Sequence, residues 1–196
     1  MRKLLLIILS TSFCFGQKNS TLKFEDNYNL LIENLSNENW VKSEQLAKEL
    51  LQIAEPVDSM QTEKKVLRYI YIYSTAGLLN EKKLTKEEAL EKVKFLKGKE
   101  MIMPAHPFKS NCHVNCTHFT EELPNTFFSV VNNAQGTQIF SFEYVTIENG
   151  IKETQSELEG KYVALSGVLN EIKVEGNMLL RFKLKFIKGD YKIQNE

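Results

Sequence analysis

From Phe24 the apolar residues recur at Phe24, Tyr28, Leu31, Ile32 and Leu35, the spacing of a helix that buries one face. Ser36-Asn37-Glu38-Asn39 is turn material, and Trp40, Ala47, Leu50, Leu51 and Ala54 form a second stripe that stops at Pro56. So short a connection predicts an antiparallel hairpin. Asp58 with Gln61 has the spacing of a capping box and predicts the start of a third helix. Its body, Val66 to Leu79, contains Tyr69-Ile70-Tyr71-Ile72-Tyr73, whose alternation also suits a strand. The breaker-free run from Glu63-Lys64-Lys65 and the continuation through Ala76 and Leu78-Leu79 favour a helix, apolar all round and therefore central. Thr85 and Glu88 make another capping box, followed by Ala89, Val93 and Leu96 and closed by Gly98.

Beyond Gly98 the period changes to two. Thr126 to Val131 is rich in strand-forming residues. From Thr137 to Ile147, Phe140, Phe142 and Tyr144 share one face and Ser141 and Glu143 the other. Asn149-Gly150 predicts a type I′ turn and a returning strand. Tyr162 to Val174 changes phase at Ser166-Gly167, which predicts a bulge at Gly167. Gly176-Asn177 turns the chain into Leu180 to Ile187, where Phe182, Leu184 and Phe186 alternate with Arg181, Lys183 and Lys185. The predicted fold class is α+β: an N-terminal bundle of four antiparallel helices, residues 17–98, then a small curved antiparallel sheet or partial barrel, residues 99–196. A Cys- and His-bearing connecting loop is expected at 104–125.

Two segments resemble known families. Asn39 to Pro56, with Ala47 and Ala54 at small-residue positions, resembles the second helix of a tetratricopeptide-type repeat; Gly77 and Ala89, twelve apart, give a second match. Leu158-Glu159-Gly160-Lys161-Tyr162-Val163-Ala164-Leu165-Ser166-Gly167-Val168 resembles the first bulged strand of OB-type barrels. The first resemblance implies packed helical hairpins. The second implies a small barrel-like sheet and does not by itself fix a ligand.

Composition places the chain in a compartment. Arg2 and Lys3 precede an apolar run from Leu4 to Leu9, extended to Phe15, and Cys14 and Gly16 stand at the small-residue positions before a cut between Gly16 and Gln17. That is the layout of a signal peptide, residues 1–16. The apolar run is shorter than the roughly 20 residues a spanning helix needs, so no transmembrane span is expected in the mature chain. Thr11 and Phe13 stand where a lipoprotein signal would carry Leu and a small residue, which argues against a lipid on Cys14. The whole chain balances 25 basic against 25 acidic residues; losing Arg2 and Lys3 leaves the exported form at minus two. Such a chain lacks the basic excess that nucleic-acid binding draws on, and its expected site is periplasmic or extracellular.

All three histidines and both remaining cysteines lie between His106 and His118. The expected chemistry is a Cys112–Cys116 disulfide, since an even number of cysteines in an oxidising compartment pairs and one helical turn brings i and i+4 within reach. A ring this small contributes about 2 kcal/mol or less. The alternatives are zinc, held by four of His106, Cys112, His113, Cys116 and His118, and reduced or labile thiols. With the disulfide, no cofactor is expected.

Trp40, Tyr69 and Tyr73 are candidates for a peptide groove, set against core packing. Arg181, Lys183 and Lys185 are candidates for an anionic polymer, set against a merely solvated strand face. No Gly-rich phosphate loop, His-Glu-x-x-His or Gly-x-Ser-x-Gly signature is present. The expected function is therefore an exported accessory protein that binds a protein or small ligand in the envelope without catalysis. The alternatives are a metal-dependent protein using the Cys/His segment, or an OB-type binder of single-stranded nucleic acid or glycan.

Overall fold

The computed structural model describes residues 18–120 and 123–194. The expected signal peptide and its cut lie outside them. Four helices come first: α1 (Lys18–Ser36), α2 (Trp40–Ala54), α3 (Gln61–Asn80) and α4 (Lys86–Val93), the last running into a 3₁₀ turn, Lys94–Leu96. Seven strands follow, β1 (Glu100–Ile102), β2 (His106–Pro107), β3 (Cys116–Phe119), β4 (Thr126–Asn132), β5 (Ile139–Ile147), β6 (Tyr162–Glu175) and β7 (Arg181–Gln194), with a single helical turn, α5 (Gln155–Leu158), between β5 and β6. The chain is thus α+β, helices preceding a curved sheet.

Local signals explain most helix ends. Asn39 accepts from the Lys42 N–H and starts α2. At α4, Thr85 Oγ1 accepts from the Glu88 N–H (3.1 Å) while Glu88 Oε2 accepts from the Thr85 N–H (2.8 Å), the expected reciprocal box. The box expected at Asp58 does not form. Asp58 sits in a turn closed by Met60 N–H to Val57 O, the cap position falls on Met60, and Gln61 instead donates to the Asp58 carbonyl. Gly98 takes a positive φ of 81° and hands the chain to the sheet by donating to Leu169 O at 2.7 Å.

Helix α3 is the spine, buried on nearly every face from Leu67 to Asn80. Gly77 makes this possible: a Cβ there would lie 2.3 Å from Trp40 Cδ2, so the indole of α2 occupies the volume a side chain would need. Trp40 then meets Tyr73 and Phe140 edge-on, at centroid separations of 5.4 and 5.1 Å. Arg68 ties three elements together, bidentate to Glu55 (2.7 and 2.8 Å) and donating to the Glu100 carbonyl of β1 (3.0 Å).

The sheet order is β1-β6-β7-β5-β4-β3, with β2 also on the outer edge of β6. All neighbours are antiparallel except β5 and β7, which run parallel. That pair arises because no strand returns from Asn149-Gly150. Gly150 alone takes a positive φ, the chain continues into α5 behind its own Thr154–Glu157 capping box, and β6 crosses to the far side of β7. Gly167 does mark a register shift, and a Cβ there would meet Phe186 Cβ at 3.1 Å. The expected loop at 104–125 contains β2 and β3, and Phe108 bridges to Thr117 there, drawing the two edges of the open sheet together at one end.

Phe182, Leu184 and Phe186 of β7 are wholly buried beneath the helices, each contributing on the order of 1.5–3 kcal/mol through removal of apolar area from water. Helical and sheet residues form one continuous hydrophobic cluster. The switch of period at 98 is therefore a change of element inside a shared core.

Candidate functional site

The sheet has two unlike faces. The helix-covered face carries Phe127, Ser129 and Val131 of β4, Ser141, Glu143 and Val145 of β5, and Phe182, Leu184 and Phe186 of β7, as the cross-strand registers place them. Glu143 is only 1% exposed. Its Oε1 accepts from the Tyr69 hydroxyl of α3 and the Ser141 hydroxyl, both at 3.0 Å, while Oε2 has no partner. Burial pushes the Glu143 carboxyl up to about 7, with the two hydroxyl donors holding it back. Burial and the neighbouring carboxylate together raise the Tyr69 phenol well above its ordinary range. Two further ties join the layers: the Tyr73 hydroxyl donates to Asn132 O (3.4 Å), and Asn80 Nδ2 donates to the carbonyls of Ile139 (3.2 Å) and Leu180 (3.1 Å). This constellation orients α3 on the sheet.

Among the described residues the opposite face carries no helical layer. Across it run His118 of β3, Phe128 of β4, Phe142 and Tyr144 of β5, Arg181, Lys183 and Lys185 of β7, and Glu171, Lys173 and Glu175 of β6. Arg181 lies over the Phe142 ring at 4.7 Å and Lys183 over Tyr144 at 5.2 Å. Phe128 packs on Phe142 and Tyr144 and meets His118 edge-on at 5.0 Å. Lys183 pairs with Glu175 (3.3 Å), and Lys173 and Lys185 both reach Glu171 (the latter at 3.2 Å). Four cations against two carboxylates leave the face positive, although the whole chain is balanced. The rings hold the Arg181 guanidinium and the Lys183 ammonium, and ion pairs to Glu171 hold Lys173 and Lys185.

Cys112 and Cys116 are disulfide-bonded, with a Cα separation of 5.5 Å. The bridge pins the loop before β3, which Asn115 fastens further by donating its N–H to Asn132 Oδ1 (3.0 Å) and accepting from the Asn132 N–H (2.8 Å). The five candidate zinc ligands are not assembled. Both sulfurs are in the bridge, His106 lies on the β6 side of the sheet, His113 is exposed and His118 is packed against Phe128. Among the described residues no group of three or more His, Cys, Asp or Glu could hold a metal ion. Burial takes the His106 imidazole down to about 4 against a hydrogen bond to the Asn115 backbone, and its Nε2 has no partner. Burial, then His113, also lowers His118.

Of the candidate binding residues, Arg181, Lys183 and Lys185 lie together on the open face. Trp40 (2% exposed) and Tyr69 are buried and Tyr73 is half-buried, all between the layers, so they line no groove. Phe140 leaves its expected companions: the β4–β5 ladder is irregular at Val131/Asn132, and Phe140 packs against Trp40 while Phe142 and Tyr144 stay on the open side. Sequence reasoning did not single out Glu143, Phe128, Phe142 or Tyr144 as site residues. The polar pair Ser141 and Glu143 within an aromatic strand was the available signal, and it was the polar set that faced inward. Among the described residues no helix is long and apolar enough to cross a membrane. No protein-family model, curated protein or solved structure matches the chain.

Proposed function

We propose that this chain is an exported accessory protein that binds an anionic ligand on the open face of its sheet and performs no chemistry on it. The observation that carries this reading is the cation row Arg181, Lys183 and Lys185, two of its members held over the aromatic rings of β5, on a sheet face that no helix of the described residues covers. Long side chains lose rotamer entropy when they bind. Here that cost is already partly met within the folded protein.

Export is part of the same proposal, resting on the basic, apolar and small-residue order of residues 1–16 and on the disulfide, which persists in oxidising compartments. Because the exported form has a net charge of minus two, attraction to a polyanion must come from a local patch. Binding of dextran sulfate at low salt provides the test. The protein should bind in a salt-sensitive manner, and R181E/K183E/K185E should abolish binding with the circular-dichroism spectrum unchanged. Equal binding by that variant overturns the reading.

A further inference from the structure

Resting on that reading of the open face, we propose that its occupant is a bilayer surface containing anionic lipid, engaged through the tip of the β6–β7 hairpin. The tip carries the adjacent apolar residues Met178, 81% exposed, and Leu179, 53% exposed. Exposed apolar side chains are ordinary when scattered. These two are neighbours at the end of the longest hairpin in the described chain, whose strands run fourteen residues each. The tip is also firmly built. Gly176 takes a φ of 92° and any Cβ there would fall 2.1 Å from Leu179 O, so the turn is closed tightly, and Asn80 of α3 donates to the Leu180 carbonyl at the tip's base.

The cation row starts directly behind this tip. Arg181 is three residues from Met178, and Arg181, Lys183 and Lys185 follow along one face of β7, with Lys173 beside them on β6. Three residues of a folded turn span at most about 10 Å, so the first cation stands within roughly 10 Å of the apolar pair, and successive ones along the strand are about 7 Å apart. An interfacial segment buries its apolar part some 5–10 Å into the headgroup boundary, which sets Arg181 at headgroup level when Met178 and Leu179 are inserted. Anionic headgroups attract such cations within a Debye length of the surface, so Arg181 and Lys183 should contribute more than Lys185. A soluble polyanion has use for the cations and none for the apolar tip. A lipid surface uses both, and their adjacency on one hairpin favours it.

Co-sedimentation of protein lacking residues 1–16, which would themselves partition into lipid, tests the inference. The protein should bind vesicles of phosphatidylglycerol and phosphatidylcholine and not vesicles of phosphatidylcholine alone. M178S/L179S should lose at least about tenfold in vesicle affinity, two side chains no longer leaving water, while binding dextran sulfate as before. Trp40, buried on Gly77, reports by its emission that the variant is folded. Unchanged vesicle binding by M178S/L179S, or equal binding to phosphatidylcholine alone, overturns the inference. Binding of dextran sulfate without binding of vesicles also overturns it and leaves the open-face reading standing; binding of neither removes both.

Discussion

The two faces of the sheet differ in what their alternation means. On β7 the pattern is the ordinary one, with Phe182, Leu184 and Phe186 under the helices and Arg181, Lys183 and Lys185 outside. On β5 it is reversed: Ser141 and Glu143 lie inside, and Phe142 and Tyr144 lie outside beside those cations. An aromatic face is therefore not by itself a core face. Burying Glu143 costs free energy, offset only in part by Tyr69 and Ser141, and in exchange the open face acquires rings that hold its cations.

The difference can be broken most forcefully from the inside. Phe182→Ala should cost about 3–5 kcal/mol in urea unfolding, the transfer and cavity terms of a fully buried ring. Next in size, Gly77→Ala should cost about 1–3 kcal/mol by overpacking, because Trp40 is enclosed and cannot yield cheaply to the added carbon. On the open face, Lys185→Ala should change stability by less than about 0.5 kcal/mol, as expected for a half-exposed ion pair. A large loss there would mean that the face is structural.

The pH dependence sharpens the comparison. Glu143 titrates near 7 in the folded chain and near 4.5 in the unfolded one, so the native state binds the extra proton. Its contribution is full below about 4.5 and is lost as pH rises through 7. His106 has the opposite sign: with a folded value near 4 and an unfolded value near 6.5, its contribution is present above 6.5 and lost as pH falls toward 4. Tyr69, Tyr73 and Ser141 are the groups around Glu143, and the phenols stay neutral throughout this range. Glu143→Gln should therefore steepen the rise of stability with pH between 4.5 and 6.5 and raise stability at pH 8 by about 1–3 kcal/mol, the scale of an uncompensated buried polar group. Unfolding curves across pH that match wild type would contradict the burial argument. Cys112→Ser with Cys116→Ser should lose about 2 kcal/mol or less in the same unfolding measurement, since the closed ring is short.

Helix periodicity was legible because stripes and caps are local: α2 follows the turn at Ser36 to Asn39 and stops before Pro56, and α4 begins at Thr85 and passes through a 3₁₀ turn before Gly98. The long strands β4, β5, β6 and β7 were legible, including the bulge at Gly167, while β1 and the order of the sheet were not, and among the described residues the strand expected after Asn149-Gly150 is absent. The parallel placement of β7 against β5 is decided by which long strands bury Phe182 and Phe186 under α3, a non-local matter that Asn149-Gly150 could not signal. Strands β2 and β3 were hidden because each is too short to show a period. Of the site, the cation row was visible as an alternation. Its aromatic partners were not, since which face of β5 turns inward depends on the Glu143–Tyr69 tie across 74 residues.

We propose that one sheet face serves a ligand while the other holds the fold. Lysine acetylation read by mass spectrometry, with and without anionic vesicles, tests it most directly. Lys173 and Lys183 should react in the free protein and be protected on binding, while exposed Lys48 and Lys97 of the helical layer react equally in both. Protection of Lys48 and Lys97 with the open-face lysines unaffected would contradict it.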